Sequence, residues 1–565
     1  MKRIIFTMLI CLMSVSCYSQ DANSKIENTD TKNINKAVIN QEKAAQVTLN
    51  GKTITYKEII QIADGAKVEL DSKAVDTVKK AHDTLIKAAI TGHKIYGLTV
   101  GVGLNKDRAM VNAQGELTDE VINASREFNK GLIHAHCGGY GDFLDVRTTR
   151  TIMAVRLNNM LTGGSGVQYE VVEMLQAMLN NNIIPLIPSQ GSIGMADITV
   201  LGHLGLPMIG EGDVLYKGQI VPASQALQSA GLKPVVLFGK DALSIVSSNA
   251  YGAALTVLAL NDAEQLIKMS KIVYALSLES LNGNVAPFSE NANNLRPFPY
   301  FVKVSKDVRA LLQGSYLYQP NEERALQDPL SFRDSVYFIG AMEQAFDELN
   351  RDLTIQLNTS DDNPSVLVNG AKGATEQEKI MLVQGGGAVV PNSNFDPVIW
   401  VLALEKFSIS LGAMSNVATQ RTIKLDDDYF TKLTRFLGTD KTVHAFGAMQ
   451  KPFTALNGEN IFLSNQMMLL TVPVAGNIED IATNAPGVAQ KVQKQIDNLF
   501  YIYGIELVHS AQAVDLRKTS KTGFKMAPAT EKLYNEFRKI VKFLDVDRPL
   551  TDDFNNAAAF LKTYK

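Results

Sequence analysis

Cysteine is scarce in this chain of 565 residues: there are only three, and two of them, Cys11 and Cys17, lie in the first 20 positions. Removal of that segment would leave Cys137 alone, so no intrachain disulfide framework is expected. Charge of one sign is also missing. With 55 Lys and Arg against 58 Asp and Glu, the net charge of −3 gives no basic footprint for a phosphate backbone or an anionic membrane, and nucleic acid is excluded as an expected partner. No repeat of fixed period occurs, which argues against a solenoid. There is no GxSxG elbow for a serine hydrolase, and no CxxC, HExxH or calcium-loop spacing for a metal. His134-Ala135-His136-Cys137 places its two histidines on different faces of a helix, so metal binding is not expected. Asp361-Asp362 and Asp426-Asp427-Asp428 read as helix caps or solvated turns.

What is present is a globular composition, 45% hydrophobic and 20% charged. Residues 1–19 carry Lys2 and Arg3 before an apolar run from Ile4 to Val15, the pattern of a secretory signal rather than a membrane span. Export to the periplasm is expected, either as a soluble form cleaved before Gln20 or as a lipoprotein anchored at Cys17. Residues 20–45 form a polar linker rich in Asn, Asp, Lys, Gln and Thr. Folding is expected to begin near Val47, with a strand over Val47 to Tyr56. The rest is dominated by helical periodicity. Leu255, Leu258, Ala259, Leu266, Met269, Val273 and Leu276 recur at three- and four-residue steps, and Val488, Val492, Leu499, Ile502 and Leu507 repeat the pattern later. Val398 to Ala418 is apolar nearly all round, as a helix buried within a bundle would be. The chain divides into an N-terminal region of active-site loops, 46–250, and a central and C-terminal helical region, 251–565.

Several motifs then occur in one order: YGLTVGVG at 96–103, NKGLIHAHCGGYG at 129–141, VRLNNMLTGGSGV at 155–167, GSIG at 191–194, QDPLSFR at 327–333, DNP at 362–364, NSNFDPV at 392–398, NGEN at 457–460 and IELVHSAQAVDLR at 505–517. Together they resemble the histidine and aromatic amino acid ammonia-lyase family. The resemblance implies a mainly α fold, a long central helix bundle of the fumarase/aspartase-like type, assembled as a homotetramer whose sites take loops from several subunits. It implies elimination of ammonia from an amino acid by an internal electrophile, methylidene-imidazolone, formed from Ala-Ser-Gly. On that resemblance Tyr96 matches the tyrosine base, and Gly101 and Gly103 belong to its mobile loop. Arg333 matches the arginine that pairs with the substrate carboxylate, a bidentate task suited to a guanidinium. His136 matches the side-chain selectivity position, in a form closer to the histidine-using members. Glu479 matches a glutamate that faces an imidazole, while Phe395 and Gln327 match the pocket wall.

The departures fall together. Where the family reads Gly-Ser-Val-Gly-Ala-Ser-Gly-Asp, this chain reads Gly191-Ser192-Ile193-Gly194-Met195-Ala196-Asp197, one residue shorter and with no serine to dehydrate. Methylidene-imidazolone is not expected to form in the segment Gly194, Met195, Ala196, Asp197, and no other cofactor is implied. The asparagine that supports the electrophile aligns with Ser247, with Asn249 two residues out of register, and a second tyrosine aligns with Leu330. Two functions follow as expectations. One is an exported carbon–nitrogen lyase that eliminates an amine, or a better leaving group, from a histidine-like or aromatic amino acid by means of a tyrosine base. The other is a catalytically silent periplasmic protein that keeps the lyase fold and binds a carboxylate ligand.

Overall fold

A computed structural model describes residues 45–100, 119–373, 375–520 and 523–565. The expected signal and linker up to residue 44, Cys17, Gly101 and Gly103 lie outside the described residues. Eight helices position everything discussed below: α1 (Asp119–His136), α2 (Val146–Met160), α3 (Ile198–Met208), α4 (Ala250–Leu281), α5 (Ser335–Leu357), α6 (Val398–Leu425), α7 (Gln450–Leu463) and α8 (Ala485–Ser520). Strands are short and peripheral. Gln46–Leu49 pairs in parallel with Lys67–Leu70, and Tyr140–Phe143 runs antiparallel to Pro188–Gln190. The expected strand over Val47 to Tyr56 therefore stops at Leu49. A turn follows it, with Asn50 Oδ1 accepting from the Lys52 and Thr53 amides and Gly51 at φ +73°, and Thr55 then starts a helix at Tyr56: its side chain accepts from the Glu58 amide while Glu58 reaches back to the Thr55 amide.

The bundle is built on α4, α6 and α8, which run in one direction. At one end Gly252 of α4 sits where an added Cβ would lie 3.2 Å from Ala485 Cβ and 3.5 Å from the Trp400 ring. At the other end Arg517 of α8 donates from Nε to the Ser280 carbonyl at 2.7 Å. Between them Arg421 of α6 is bonded to Glu506 of α8 at 2.6 and 2.7 Å. α5 runs the opposite way, bringing Ser335 to Arg421 and Gln356 to Trp400. One apolar core extends through the bundle from Val47 to Tyr564. α4 is lined with Ala, Gly and Ser, which allows its neighbours to approach closely, and its burial follows from that as much as from its leucines.

α6 departs from expectation. It packs in the bundle along one face, but Ile399, Leu402 and Ile409 are exposed on the other. Leu469, Leu470, Val472, Ile478 and Ile481, in the segment before α8, are exposed as well.

Candidate active site

The first turns of α4, α6 and α8 converge at one end of the bundle, and the segment 191–197 is bonded to the ends of α4 and α8. A helix N-terminus presents unpaired amides and a partial positive charge. Those of α4 and α8 here meet a segment whose backbone is bonded at several residues. The Asn484 amide donates to the Ile193 carbonyl at 2.7 Å, and Thr483 Oγ1 donates to the Gly194 carbonyl at 2.7 Å. The Ala196 amide donates to Asn249 Oδ1 at 3.1 Å, and the Asp197 amide donates to the Ser248 carbonyl at 2.8 Å. Gly194 and Ala196 both have positive φ, +70° and +51°. For alanine that is an uncommon conformation, held here by the hydrogen bonds on either side.

Asn249 is the hub of this arrangement. Its Nδ2 donates to the Phe395 carbonyl at 2.6 Å while its Oδ1 holds Ala196, so one carboxamide ties the segment to the loop that carries Phe395. Its own amide donates to Asp361 Oδ2 at 2.8 Å, an oxygen that also accepts from Ser248 Oγ and Gln356 Nε2. Ser247 is buried nearby, two residues earlier, as the residue that closes the Asp241–Val246 helix. The structure thus puts Asn249 in contact with the segment despite its offset in sequence.

Asp361 and Asp362 correct an expectation. They are not solvated turns; they are buried beside the equally buried Arg156 and Lys240. Arg156 Nη2 lies 3.0 Å from Asp362 Oδ1, and Lys240 Nζ lies 3.7 Å from the same oxygen. Desolvation lowers the Lys240 ammonium and raises the Asp361 carboxyl. Chain ends of α2 and α5 must meet there for the DNP motif to reach the site, and the charges fix that meeting. Asp427, by contrast, does cap a short helix, accepting from the Tyr429 amide at 2.9 Å.

Asp197 is buried under the segment. Ser192 Oγ donates to its Oδ1 at 2.5 Å and the Gly252 amide donates to its Oδ2 at 2.9 Å. Burial outweighs these donors and pushes its carboxyl up to about 6. His136, at the end of α1, is half-buried, and its Nδ1 donates to the Leu132 carbonyl at 2.7 Å. His134 turns away to Glu211, 2.6 Å from its Nε2, so the two histidines do diverge. Tyr96 is half-buried, with its backbone bridged to Val100, and Gly97 beside it packs against Leu243, just before α4. Glu479 is half-buried in the segment before α8, bridged to Val474. Met195 is half-buried.

Arg333 and Gln327 are elsewhere. Arg333 ends the short helix Leu330–Arg333, whose Phe332 carbonyl accepts from Tyr274 Oη of α4. Tyr274 is about 36 Å along α4 from Ala250, at about 1.5 Å per residue. Gln327 is exposed and lines a cavity of about 290 Å³ with Leu281, Asn282 and Arg517, at the far end of the bundle. Leu330 is exposed too. Arg333 Nε is buried without a hydrogen-bond partner among the described residues. In a single chain, then, the 191–197 segment, Asn249 and Phe395 come together, and Arg333 and Gln327 do not join them.

The model for aromatic amino acid lyases matches residues 54–539. The chain belongs to the aromatic amino acid lyase family. It is 30% identical over 514 residues to a histidine ammonia-lyase of Chloroflexus aurantiacus, covering 89% of this chain and 93% of that one. It is 29% identical to that of Caldanaerobacter subterraneus over 90% of this chain and 95% of the relative. Among solved structures, the ergothioneine-degrading ergothionase of Treponema denticola, in complex with desmethyl-ergothioneine sulfonic acid, superposes with a TM-score of 0.82 at 36% identity, covering 92% of this chain and 99% of that chain. Histidine ammonia-lyase of Trypanosoma cruzi superposes with a TM-score of 0.79 at 23% identity over 92% and 93%, a likeness of fold. These relatives are carbon–nitrogen lyases, and so is this member of the aromatic amino acid lyase family. The helical bundle expected from the motifs is the fold observed.

Proposed function

We propose that this lyase removes a tertiary amine from the quaternary-ammonium betaine of a histidine-type amino acid, without methylidene-imidazolone. The observation that carries the reading is the Gly194-Met195-Ala196-Asp197 segment, which has no Ala-Ser-Gly to cyclise and is tied instead to Asn249 through the Ala196 amide. The residues present do not fit the family electrophile, so no step is routed through it.

The chemistry supplies the substrate class. A plain α-amine leaves poorly, and capture of its lone pair by an electrophile makes it a better leaving group. A quaternary ammonium has no lone pair to capture and already departs as a neutral amine. Loss of the electrophile and use of a betaine are therefore two sides of one change. Tyr96, as phenolate, takes the β-proton; the C–H electron pair becomes the Cα–Cβ double bond; the Cα–N bond breaks with its electrons on nitrogen. Arg333 holds the carboxylate. In this reading His136 and Glu479 meet an imidazole-type side chain, and Phe395 and Gln327 are walls. The ergothionase relative supports the same substrate class, since ergothioneine is itself such a betaine.

Because Arg333 and the 191–197 segment sit at opposite ends of one chain, the same reading requires an oligomer, and the homotetramer is the proposed form. The exposed Ile399, Leu402 and Ile409 on α6 supply apolar surface for it. Residues 1–20 support periplasmic export, with Cys17 as a potential anchor.

The test is incubation of the mature protein with ergothioneine and with histidine, followed by mass spectrometry of the products and of the intact chain. Trimethylamine and an unsaturated imidazole acid from the betaine, with no water missing from the chain, are expected. Efficient urocanate formation from histidine, or a dehydrated chain, overturns the proposal. A retained ligand with no product from either moves the assignment to the silent binding protein.

A further inference from the structure

Arg333 gains its position from groups that the carboxylate never touches. The helix Leu330–Arg333 is a single turn, too short to hold itself. Its backbone amides bond within the turn, Phe332 and Arg333 to the Pro329 carbonyl at 2.9 and 3.1 Å and Asp334 to the Leu330 carbonyl at 2.8 Å. The carbonyls of Ser331 and Phe332 are taken by side chains. Ser335 Oγ donates to the Ser331 carbonyl at 2.6 Å, and Tyr274 Oη donates to the Phe332 carbonyl.

Both donors lead to one buried ion pair. Arg421 Nη1 donates to Ser335 Oγ at 2.7 Å, which orients the Ser335 proton toward Ser331. The Arg421 guanidinium also lies 5.1 Å from the Tyr274 ring centroid. Its other edge grips Glu506 through Nε and Nη2, and Ser277 Oγ donates to Glu506 Oε1 at 2.7 Å. Arg421, Glu506, Tyr274, Ser277 and Ser335 are all fully buried. A charged pair so deeply buried contributes little net stability over an apolar pair, but it fixes geometry strictly.

We propose that Tyr274, Ser335 and the Arg421–Glu506 pair are positioning residues for Arg333, holding the turn so that its guanidinium meets the substrate carboxylate. They act through Arg333 and not on the substrate. This rests on the carboxylate role assigned to Arg333 above.

The test uses Tyr274→Phe and Ser335→Ala, which keep volume near constant and leave the ion pair in place, because removing Arg421 or Glu506 alone would strand a buried charge and threaten folding. Both variants are expected to raise KM for the betaine carboxylate about five- to twentyfold with kcat within about threefold, as for lost binding shared by ground and transition state. KM for the neutral carboxamide of the same betaine should stay unchanged. In an Arg333→Gln background, Tyr274→Phe should add nothing further, the mark of two residues acting as one. An additive loss there, or equal KM changes for acid and amide, overturns the proposal and leaves a merely structural role. The two readings separate cleanly. If Arg333→Gln itself leaves KM unchanged, the carboxylate role fails; if Arg333→Gln raises KM but Tyr274→Phe and Ser335→Ala do not, the positioning fails alone. Where wild type turns over no betaine, the dissociation constant by calorimetry is read in place of KM, with the same four variants.

Discussion

Two side chains at the candidate site make opposite demands on protons. On the proposed mechanism Tyr96 loses one to act as a base, and Asp197, pushed up to about 6 by burial, keeps one to higher pH than an exposed carboxyl would. Tyr96→Phe retains the ring that packs against the core and deletes only the phenolic oxygen. It is expected to lower turnover by a factor of about 10² or more, with unchanged thermal denaturation; a variant with wild-type kcat would remove Tyr96 from the chemistry. For Asp197 the sign follows from linkage. Its folded value lies above the ordinary 3.8, so its favourable contribution is complete below about 3.8 and is lost as pH rises toward about 6. The Tm of wild type minus that of Asp197→Asn should therefore fall between pH 4 and pH 7. Asp241, buried and also raised to about 6, is present in both proteins and cancels from the difference. A difference that stays flat across that range would show that Asp197 titrates normally.

At the scale of elements, the segment 191–197 depends on a close approach that only glycine allows. At Gly194, φ is +70°, and a Cβ would fall on the Ala485 amide and 2.9 Å from Thr483 Oγ1. Gly194→Ala is expected to cost about 2 kcal/mol or more in denaturant unfolding and to loosen the Thr483 and Asn484 contacts, lowering turnover as well; wild-type stability would mean that α8 can shift without cost. The long helices were legible in the sequence because apolar spacing states their period directly, and the ordered motifs gave the family by resemblance. Less visible was what depends on partners distant in sequence. An Asn50-Gly51 turn ended the first strand and a capping box at Thr55 began a helix, both obscured by a Val/Ile/Thr run. Asp361 read as solvent-facing because its partners, Asn249 and Arg156, lie more than a hundred residues away. Asn249 looked out of register because alignment counts residues, whereas the tight turn before α4 brings its carboxamide onto Ala196. The open face of α6 was unreadable for the same reason, since periodicity shows that a face is apolar and not what covers it.

For the whole molecule, the separation of the two halves of the site leads to an outcome that single-chain variants cannot produce. α4 holds Asn249 and the 191–197 segment at its first turn and braces the Arg333 turn through Tyr274, about 36 Å along it by helical rise. No rotamer change spans that distance, so a pocket containing both must borrow one half from another copy. At substrate well below the raised KM, Tyr96→Phe and Arg333→Gln should each be nearly inactive as homo-oligomers. Co-expressed, they assemble mixed particles, and in some of these a site receives its Tyr96 half from an Arg333→Gln chain and its Arg333 half from a Tyr96→Phe chain. Such a site is fully wild type in its chemistry. Activity should therefore return on co-expression, to a fraction of wild type set by random mixing, and should be absent when the two variants are purified separately and mixed without subunit exchange. A doubly substituted chain co-expressed with wild type controls for dosage. If co-expression restores nothing while mixed particles are isolated by two affinity tags, both residues serve a site within one chain, and the long axis of α4 would have to be bridged in some other way.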